Sequence, residues 1–185
     1  MRVLLMAIAT TVFLAACGTT PEPKAVAPAK NPSTARQAIA NLASASGSLV
    51  SGKVTVMPMG DGVHLTGTVG GLPANSTHGF HIHEKGDCSA ADASSAGPHF
   101  NPAVMPHGKA ESGAHHAGDM DNVVANAEGV VNLDLHVSGV TLGGGAANDI
   151  AGRALVVHAA PDDYTSQPAG NAGARVACGV ITVIP

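Results

Sequence analysis

The sequence predicts an all-β domain, folded as a two-sheet sandwich or a flattened barrel of about eight strands. Hydrophobic residues make up 45% of the chain but aromatic residues only 2%, so the core must be built from Val, Leu, Ile and Ala. The chain contains 23 Gly and 12 Pro, and these turn-forming residues favour many short strands over a helical bundle. A length of 185 residues suits one domain with a sizeable core.

Four runs of alternating apolar and polar residues predict the strands of the first half of the chain. These four predicted strands cover residues 35–43, 49–57, 63–69 and 78–84. The first is the weakest of them, because its alanines also suit a turn of helix. The sequence Gly60-Asp61-Gly62 separates the second strand from the third and is typical of a hairpin turn.

A long segment without periodicity, residues 85–120, follows the fourth predicted strand. Such a long connection in a compact domain is usually functional, so we expect one long loop, or a pair of loops, that carries a site. Strand patterns return afterwards, at residues 122–127, 130–137, 150–159 and 175–184. Residues 160–174 form a second predicted loop between the last two strands.

The N-terminus resembles the signal of a bacterial lipoprotein. Arg2 precedes an apolar stretch, residues 3–16, that is too short to span a membrane. The sequence LAAC at residues 14–17 resembles a lipobox, the motif whose cysteine is lipidated after the signal is cleaved. We therefore predict a signal peptide at residues 1–16 and a lipid on Cys17. The alternative is an ordinary secretory signal with an incidental cysteine.

The tether and the localisation are predicted from the same region. Residues 17–33 are rich in Pro, Ala and small polar residues, which predicts a flexible tether before a folded domain at residues 34–185. Gly18, rather than an aspartate, follows Cys17. In a Gram-negative cell we therefore expect an anchor in the periplasmic face of the outer membrane. The predicted localisation is the bacterial cell envelope.

Charge and cysteine usage narrow the class of protein further. The formal net charge is −4 and the chain has no basic run, which argues against nucleic acid as a partner. Cys88 and Cys178 remain after Cys17, and in an exported, oxidising compartment we expect them to form a disulfide bond. Neither cysteine lies in a CxxC motif, which disfavours a thiol redox centre and a cysteine-type zinc site.

Six of the ten histidines lie within residues 79–119. They are His81, His83, His99, His107, His115 and His116. Histidine is the commonest metal ligand among side chains, so this density predicts a metal site. His81 and His83 are two residues apart in a predicted strand, so both imidazoles face one side and can share a metal. Ile82 then faces the core.

The remaining candidate ligands are spaced more widely. His99, His107 and His116 follow one another at intervals of eight and nine residues, with Asp119 three residues further on. Three imidazoles and one carboxylate suit tetrahedral Zn²⁺. His158, at the end of a later predicted strand, can complete the first site, and coordination by imidazoles alone suits copper.

Five motifs, in order along the chain, carry a resemblance to a known family. They are GFHIHEKGDC at 79–88, AGPHFNP at 96–102, HAGD at 116–119, GRALVVHAAPDD at 152–163 and GNAGARVACGVI at 170–181. On these motifs the chain resembles a copper/zinc superoxide dismutase of the bacterial periplasmic type. The resemblance implies an eight-stranded, Greek-key, immunoglobulin-like β-fold with two long functional loops. It also implies copper and zinc as cofactors.

The resemblance implies a role for each matched ligand. Copper would be bound by His81, His83, His99 and His158. Zinc would be bound by His99, His107, His116 and Asp119. His99 would thus be shared by both metals. The register of HAGD selects His116, although spacing alone does not exclude His115.

The resemblance also implies supporting and catalytic residues. Asp162 matches the carboxylate that links a copper-binding histidine to a zinc-binding one, and Arg175 matches the arginine that docks the anionic substrate. His99 would be catalytic as well, because it would leave copper, take up a proton and pass it to the product. The Cys88–Cys178 disulfide would hold the metal loop on the last strand, near Arg175.

The implied function is that of an oxidoreductase that disproportionates two superoxide anions to O₂ and H₂O₂ and so protects the cell envelope. A catalytically silent copper- and zinc-binding lipoprotein is the alternative, and a structural lipoprotein with a zinc-stabilised fold is a third class. The second loop lacks the charged residues of the eukaryotic pattern and has Ala169 in place of a channel threonine, so Lys85 or Lys109 is expected to steer superoxide. Bacterial members occur as monomers and as homodimers.

Overall fold

The computed structural model describes residues 33–110 and 112–185, and nearly all of the regular structure in them is β-strand. The strands are β1 (Ala38–Ser44), β2 (Ser51–Met59), β3 (Gly62–Gly70), β4 (Thr77–His78), β5 (Phe80–His83), β6 (Val123–Val124), β7 (Val131–Ser138), β8 (Ala154–His158), β9 (Arg175–Val180) and β10 (Thr182–Val183). The one helical element in the described part is a 3₁₀ turn at Ser94–Ala96. The prediction of an all-β fold is confirmed.

Eight of the strands form one curled antiparallel sheet. Its order is β5-β8-β9-β1-β2-β3-β7, and β10 pairs with the start of β1. The two remaining strands, β4 and β6, form a short ribbon. The connections from β3 to β5, by way of β4, and from β7 to β8 cross between the two ends of this order, as in a Greek key. The curled sheet is a half-barrel, in agreement with the predicted sandwich or flattened barrel.

The predicted hairpin is the most regular part of the sheet. β2 and β3 pair along their whole length, with Met59 opposite Gly62. Gly60, with a φ of 60°, and Asp61 form the turn between them. The helical alternative for the first segment is not observed, because β1 pairs with β2 through five residues, from Ala38 to Leu42.

Later strand boundaries differ from the predicted ones. The predicted strand at 78–84 divides at Gly79, because β4 turns to pair with β6 while β5 pairs with β8. The last predicted strand divides at Ile181, whose N–H and C=O groups bond to Arg153 and Gly152 in the turn before β8. These divisions give ten strands in the described part instead of eight.

Aliphatic side chains fill the core, as the composition predicts. The fully buried ones include Leu65, Leu142, Ile150, Leu155, Ile181, Val54, Val56 and Val63. Phe80 and Ile82 of β5 lie in the same core with exposures of 0%, so Ile82 faces inward as expected. Alternation along β5 then places His81 and His83 on the opposite face of the sheet.

That opposite face of β5, β8 and β9 is covered by the first loop (residues 84–122), which explains why β5 and β8 are buried on both faces. Ala93 and Ala96 of this loop pack near Val156 of β8. The predicted disulfide is present and joins Cys88 of the loop to Cys178 of β9, 90 residues away. The sheet and the first loop thereby enclose a space, and the site lies there.

The predicted signal peptide, Cys17 and most of the tether lie outside the described residues. Where the description starts, the Ser33 hydroxyl accepts a hydrogen bond of 2.9 Å from the Leu142 N–H. No helix in the described residues is both long and apolar enough to cross a membrane.

Candidate metal centre

The first of two ligand clusters lies mainly on strands, and we call it the strand cluster. It consists of His81, His83, His99 and His158. His81 and His83 project from the same face of β5, and His158 ends β8 next to it. His99 reaches the cluster because residues 98–100 add to the free edge of β5, where the Phe100 N–H donates to the Ile82 carbonyl at 2.8 Å. All four imidazoles are buried.

The hydrogen bonds of the strand cluster determine which ring nitrogens are free. The Nδ1 atoms of His83 and His158 face the carbonyl oxygens of Gly97 and Gly173, at 2.8 and 3.4 Å, so each carries a proton. Their Nε2 atoms are then two unprotonated nitrogens only 3.3 Å apart. Such a pair repels unless a cation lies between the lone pairs.

His81 leads to the same conclusion. Its Nε2 donates to the Asp162 carboxylate at 2.8 Å, and its Nδ1 is buried with no hydrogen-bond partner. Burial lowers the pKa of His81 to about 4, of His83 to about 2 and of His158 to about 3. These imidazoles are therefore neutral at pH 7 and present lone pairs to a metal.

The second cluster lies in the first loop, and we call it the loop cluster. It consists of His99, His107, His116 and Asp119. Three Nδ1 atoms surround one Asp119 carboxylate oxygen, at 2.8 Å from His99, 3.0 Å from His107 and 3.3 Å from His116. The other oxygen accepts from the N–H groups of His116 and Gly108, at 2.8 and 3.1 Å. His99 belongs to both clusters, with its Nε2 buried and unpartnered.

The loop cluster also requires a cation. The Nε2 of His107 donates to Asp162 at 3.0 Å, and its buried Nδ1 lies 3.0 Å from the Asp119 carboxylate without a hydrogen bond, so a cation fits between them. Burial alone would raise the pKa of Asp119, but hydrogen bonds from His99 and from main-chain N–H groups outweigh burial and lower it. The carboxylate is therefore charged at neutral pH, as a ligand of Zn²⁺ must be.

Asp162 connects the two clusters. It is 3% exposed, and its two oxygens accept from His81 and His107. The Asn122 side chain bonds to both main-chain groups of Asp162, at 2.8 and 2.9 Å. Gly170, with a φ of 64°, lies so close that a Cβ there would overlap the Asp162 carboxylate. Outer carboxylates of this kind orient metal-binding imidazoles and set which nitrogen is protonated.

The structure shows which of the neighbouring residues His115 and His116 belongs to the loop cluster. His116 is buried within the loop cluster, whereas His115 lies outside both clusters and is bonded through Nδ1 to the Gly113 carbonyl at 2.9 Å. Because Gly118 has no side chain, the segment that contains His116 can pack closely against β5. Gly118 lies against Ile82 so closely that a Cβ would overlap the Ile82 carbonyl oxygen.

Arg175 lies in a cleft of about 640 Å³ that opens onto the strand cluster. Its guanidinium donates to the carbonyl oxygens of Ala93 and Gly97, both at 2.7 Å. The same Gly97 oxygen accepts from His83, so one carbonyl positions both the cation and a ligand. Among the described residues that line this cleft, Arg175 is the one cation, and Glu84 is a nearby anion.

The two candidate steering lysines lie outside the lining of this cleft. The aliphatic part of Lys85 lies beside Gly97, and the Lys109 ammonium lies 5.5 Å from the centre of the Tyr164 ring. Steering by either lysine stays a prediction.

Several supporting residues were missed by the sequence analysis. His78 is buried and donates from Nδ1 to the His158 carbonyl at 2.8 Å, which holds the end of β8. Asn122 and Gln167 bond to the main chain of Asp162 and His107, respectively. Contacts between a side chain and a distant main chain leave no periodic signal, so the sequence offers little by which to find them.

Comparison with known proteins agrees with this geometry. Residues 50–181, more than half of the chain, match the sequence model of the copper/zinc superoxide dismutase family. Two relatives from Aquifex aeolicus (strain VF5), superoxide dismutases [Cu-Zn] 2 and 1, are 44% and 43% identical to the chain over 135 and 133 residues. The alignments cover 71% and 70% of this chain and 79% of each relative.

Two solved structures share the fold. The clock protein EA4 is 40% identical, with a TM-score of 0.73, and the match covers 82% of this chain and 97% of that one. A double mutant of a SOD-like protein from Bacillus subtilis is 34% identical, with a TM-score of 0.71, covering 78% of this chain and 96% of the other. With two buried ligand clusters that share one histidine, and with these relatives, the chain belongs to the copper/zinc superoxide dismutase family.

Proposed function

We propose that the protein is a superoxide dismutase that converts two superoxide anions and two protons to O₂ and H₂O₂. The observation that carries this function is that both ligand clusters are complete and that an arginine lies in the cleft above one of them. Copper bound to the strand cluster supplies one-electron redox chemistry, and zinc bound to the loop cluster supplies fixed positive charge.

The chemistry of the donors supports this assignment of metals. Copper is assigned to His81, His83, His99 and His158, because four imidazoles without a carboxylate suit copper. Zinc is assigned to His99, His107, His116 and Asp119, because three imidazoles and one carboxylate suit zinc.

Arg175 binds and orients the substrate. Two carbonyl oxygens fix its guanidinium in the cleft, and a guanidinium stays protonated at any physiological pH. The cation attracts superoxide and holds it beside His83, His99 and His158, which line the same cleft.

His99 is the residue best placed to move a proton. Its Nδ1 faces Asp119 in the loop cluster, its Nε2 is buried without a hydrogen-bond partner, and the residue lines the cleft. A proton held at this Nε2 lies beside the substrate and can be transferred to the peroxide product.

A catalytically silent metal-binding protein on the same scaffold is the rival function. Such a protein has no need for an arginine held in a cleft above the strand cluster, yet Arg175 is present and fixed by two hydrogen bonds. The comparisons also favour the enzyme, since the relatives named above are superoxide dismutases.

The decisive experiment combines metal analysis with a superoxide assay on wild type and His158→Ala. We expect wild type to bind one copper and one zinc and to be active, and His158→Ala to lose copper and activity. His64→Ala is the matched control, because in the described part of the chain the His64 side chain bonds to the exposed Asp134 alone, and its loss should leave metal content and activity unchanged. Full activity in His158→Ala would contradict the copper assignment.

We further propose that the enzyme is a lipoprotein anchored through Cys17 at the periplasmic face of the bacterial cell envelope. The LAAC sequence at residues 14–17 and the following Gly18 support this localisation. Mass spectrometry of the N-terminal peptide should show a diacylglyceryl group on Cys17. Cys17→Ser should move the protein from the membrane fraction, and an unmodified N-terminus in wild type would contradict the anchor.

A further inference from the structure

Gln167, in the second loop (residues 159–174), makes a contact that none of the roles above uses. Its side-chain amide faces the main chain of His107, 60 residues earlier. The His107 N–H donates to Oε1 at 2.9 Å, and Nε2 donates to the His107 carbonyl at 2.9 Å. The pair of bonds fixes the orientation of the amide, because a flipped amide would oppose donor to donor and acceptor to acceptor.

In the described residues, the main chain of His107 has no strand pairing to hold it. Its main chain lies in a stretch without strand structure, next to the exposed side chains of Val104 and Met105. In the part of the chain that the structure describes, the main-chain N–H and C=O of His107 bond to Gln167 alone. One side chain therefore accounts for both main-chain hydrogen bonds of a proposed zinc ligand, while the next N–H, that of Gly108, bonds to Asp119.

Gln167 also forms part of the substrate cleft. It lines this cleft with Pro168 and Ala169 of the same loop, and Arg175 lines it too. The amide therefore joins a zinc ligand to the rim through which the substrate must pass.

The rest of the second loop has hydrogen bonds of its own, although the Gln167 amide also donates to the Thr165 carbonyl at 3.4 Å. The Asp163 carboxylate accepts from the N–H groups of Thr165 and Ser166 and from the side chains of Ser166 and Asn171. Asp162 is held separately by Asn122. Removing the Gln167 amide should therefore free His107 without unfolding the loop.

We propose that Gln167 is a positioning residue that couples zinc retention in the loop cluster to the order of the cleft rim. The inference rests on the assignment of zinc to the loop cluster. Because coupling between two sites is reciprocal in binding free energy, the Gln167 contact strengthens the binding of zinc, and bound zinc in turn orders the rim.

The first test measures the release of zinc from the copper- and zinc-loaded protein to a chelator. Gln167→Ala should release zinc about tenfold faster than wild type, the effect of one or two ordinary hydrogen bonds. Gln167→Glu should not restore slow release, because a carboxylate cannot donate to the His107 carbonyl. Thr165→Ala is the control, since Thr165 is exposed in the same loop and its hydroxyl bonds only to Asp163.

The second test measures hydrogen exchange in residues 163–171 with and without zinc. In wild type, zinc removal should raise exchange there, whereas in Gln167→Ala exchange should be raised to a similar extent with and without zinc, because the loop is loosened although Asp163 keeps it folded. Equal zinc release from wild type and Gln167→Ala, or an equal response of the rim to zinc in both, would overturn the coupling. Wild type that retains no zinc at all would instead overturn the zinc assignment, so the two failures are distinguishable.

Discussion

The strand cluster and the loop cluster share His99 but are positioned by different means. His81, His83 and His158 lie on β5 and β8, whose pairing is set by the register of His81 with Val156. The ligands His107 and His116 lie in the first loop, where side-chain contacts rather than strand pairing hold them. Strand pairing thus positions three of the four ligands of the strand cluster, whereas the loop cluster depends on contacts within and between loops.

The difference assigns separate tasks to the two halves. A pre-formed imidazole set beside an open cleft suits a metal that must react with substrate. Ligands that come from a loop folded around its ion suit a metal with a structural role. Four predictions test this division, from the largest expected effect to the smallest.

Acid should destabilise the metal-free protein most of all. The pKa values of His81, His83 and His158 in the folded protein lie below the ordinary value of 6.5. The unfolded chain therefore binds more protons below pH 6.5, so stability is fully present above that pH and falls as the pH drops through about 4. Urea unfolding of the metal-free protein between pH 7 and pH 4 measures this loss. A stability independent of pH over that range would contradict the buried, neutral state of the strand cluster.

Loss of the disulfide bond should cause the second-largest loss of stability. Cys88 and Cys178 close a loop of 90 residues and hold the first loop on the sheet. Replacing both by Ser should lower the free energy of unfolding by about 4 kcal/mol, from the loop-closure entropy of the unfolded chain. Urea unfolding of the metal-loaded protein tests this. A change below about 1 kcal/mol would show that the loop is held by other contacts.

Asp162→Ala should lower the metal affinities of the strand cluster and the loop cluster to different extents. Zinc affinity should fall about 10- to 100-fold, the usual effect of losing an outer carboxylate. Copper affinity should fall less, because His81 is also held by β5 whereas His107 is held only within the loops. Competition with chelators measures both affinities, with the exposed Asp121→Ala as control. A larger loss for copper than for zinc would reverse the proposed order of the halves.

Arg175→Ala should leave metal binding by both clusters unchanged but lower the rate of superoxide dismutation. Metal content should stay close to that of wild type, because Arg175 contacts His83 only through the Gly97 carbonyl, which keeps its own bond to His83. The value of kcat/KM should fall about tenfold or more at low salt, because the cleft loses its cation. Lys85→Ala and Lys109→Ala serve as comparisons, and an unchanged salt dependence in either would exclude that lysine from steering.

The arrangement of the strand cluster could be predicted from the sequence better than that of the loop cluster. The period of two placed His81 and His83 on one face and Ile82 in the core, and the structure has this arrangement. In the loop half, the spacing of His107 and His116 identified ligand types but not how their backbones are held. That information lies in contacts such as the one between Gln167 and His107, which depend on how two irregular loops meet.

The division of a predicted strand into two shorter strands could not be predicted from the sequence pattern either. The alternation at residues 78–84 is continuous, yet the strand divides at Gly79 because its two halves pair with different partners. Pairing partners depend on the whole topology, so local periodicity cannot supply them.

The most direct measurement is anomalous diffraction from crystals of the metal-loaded protein at the copper and zinc absorption edges. We predict a copper peak among His81, His83, His99 and His158 and a zinc peak among His99, His107, His116 and Asp119. The His99 imidazole should lie between the two peaks. Copper in the loop cluster, zinc in the strand cluster, or a single peak served by both clusters would contradict the division into two halves.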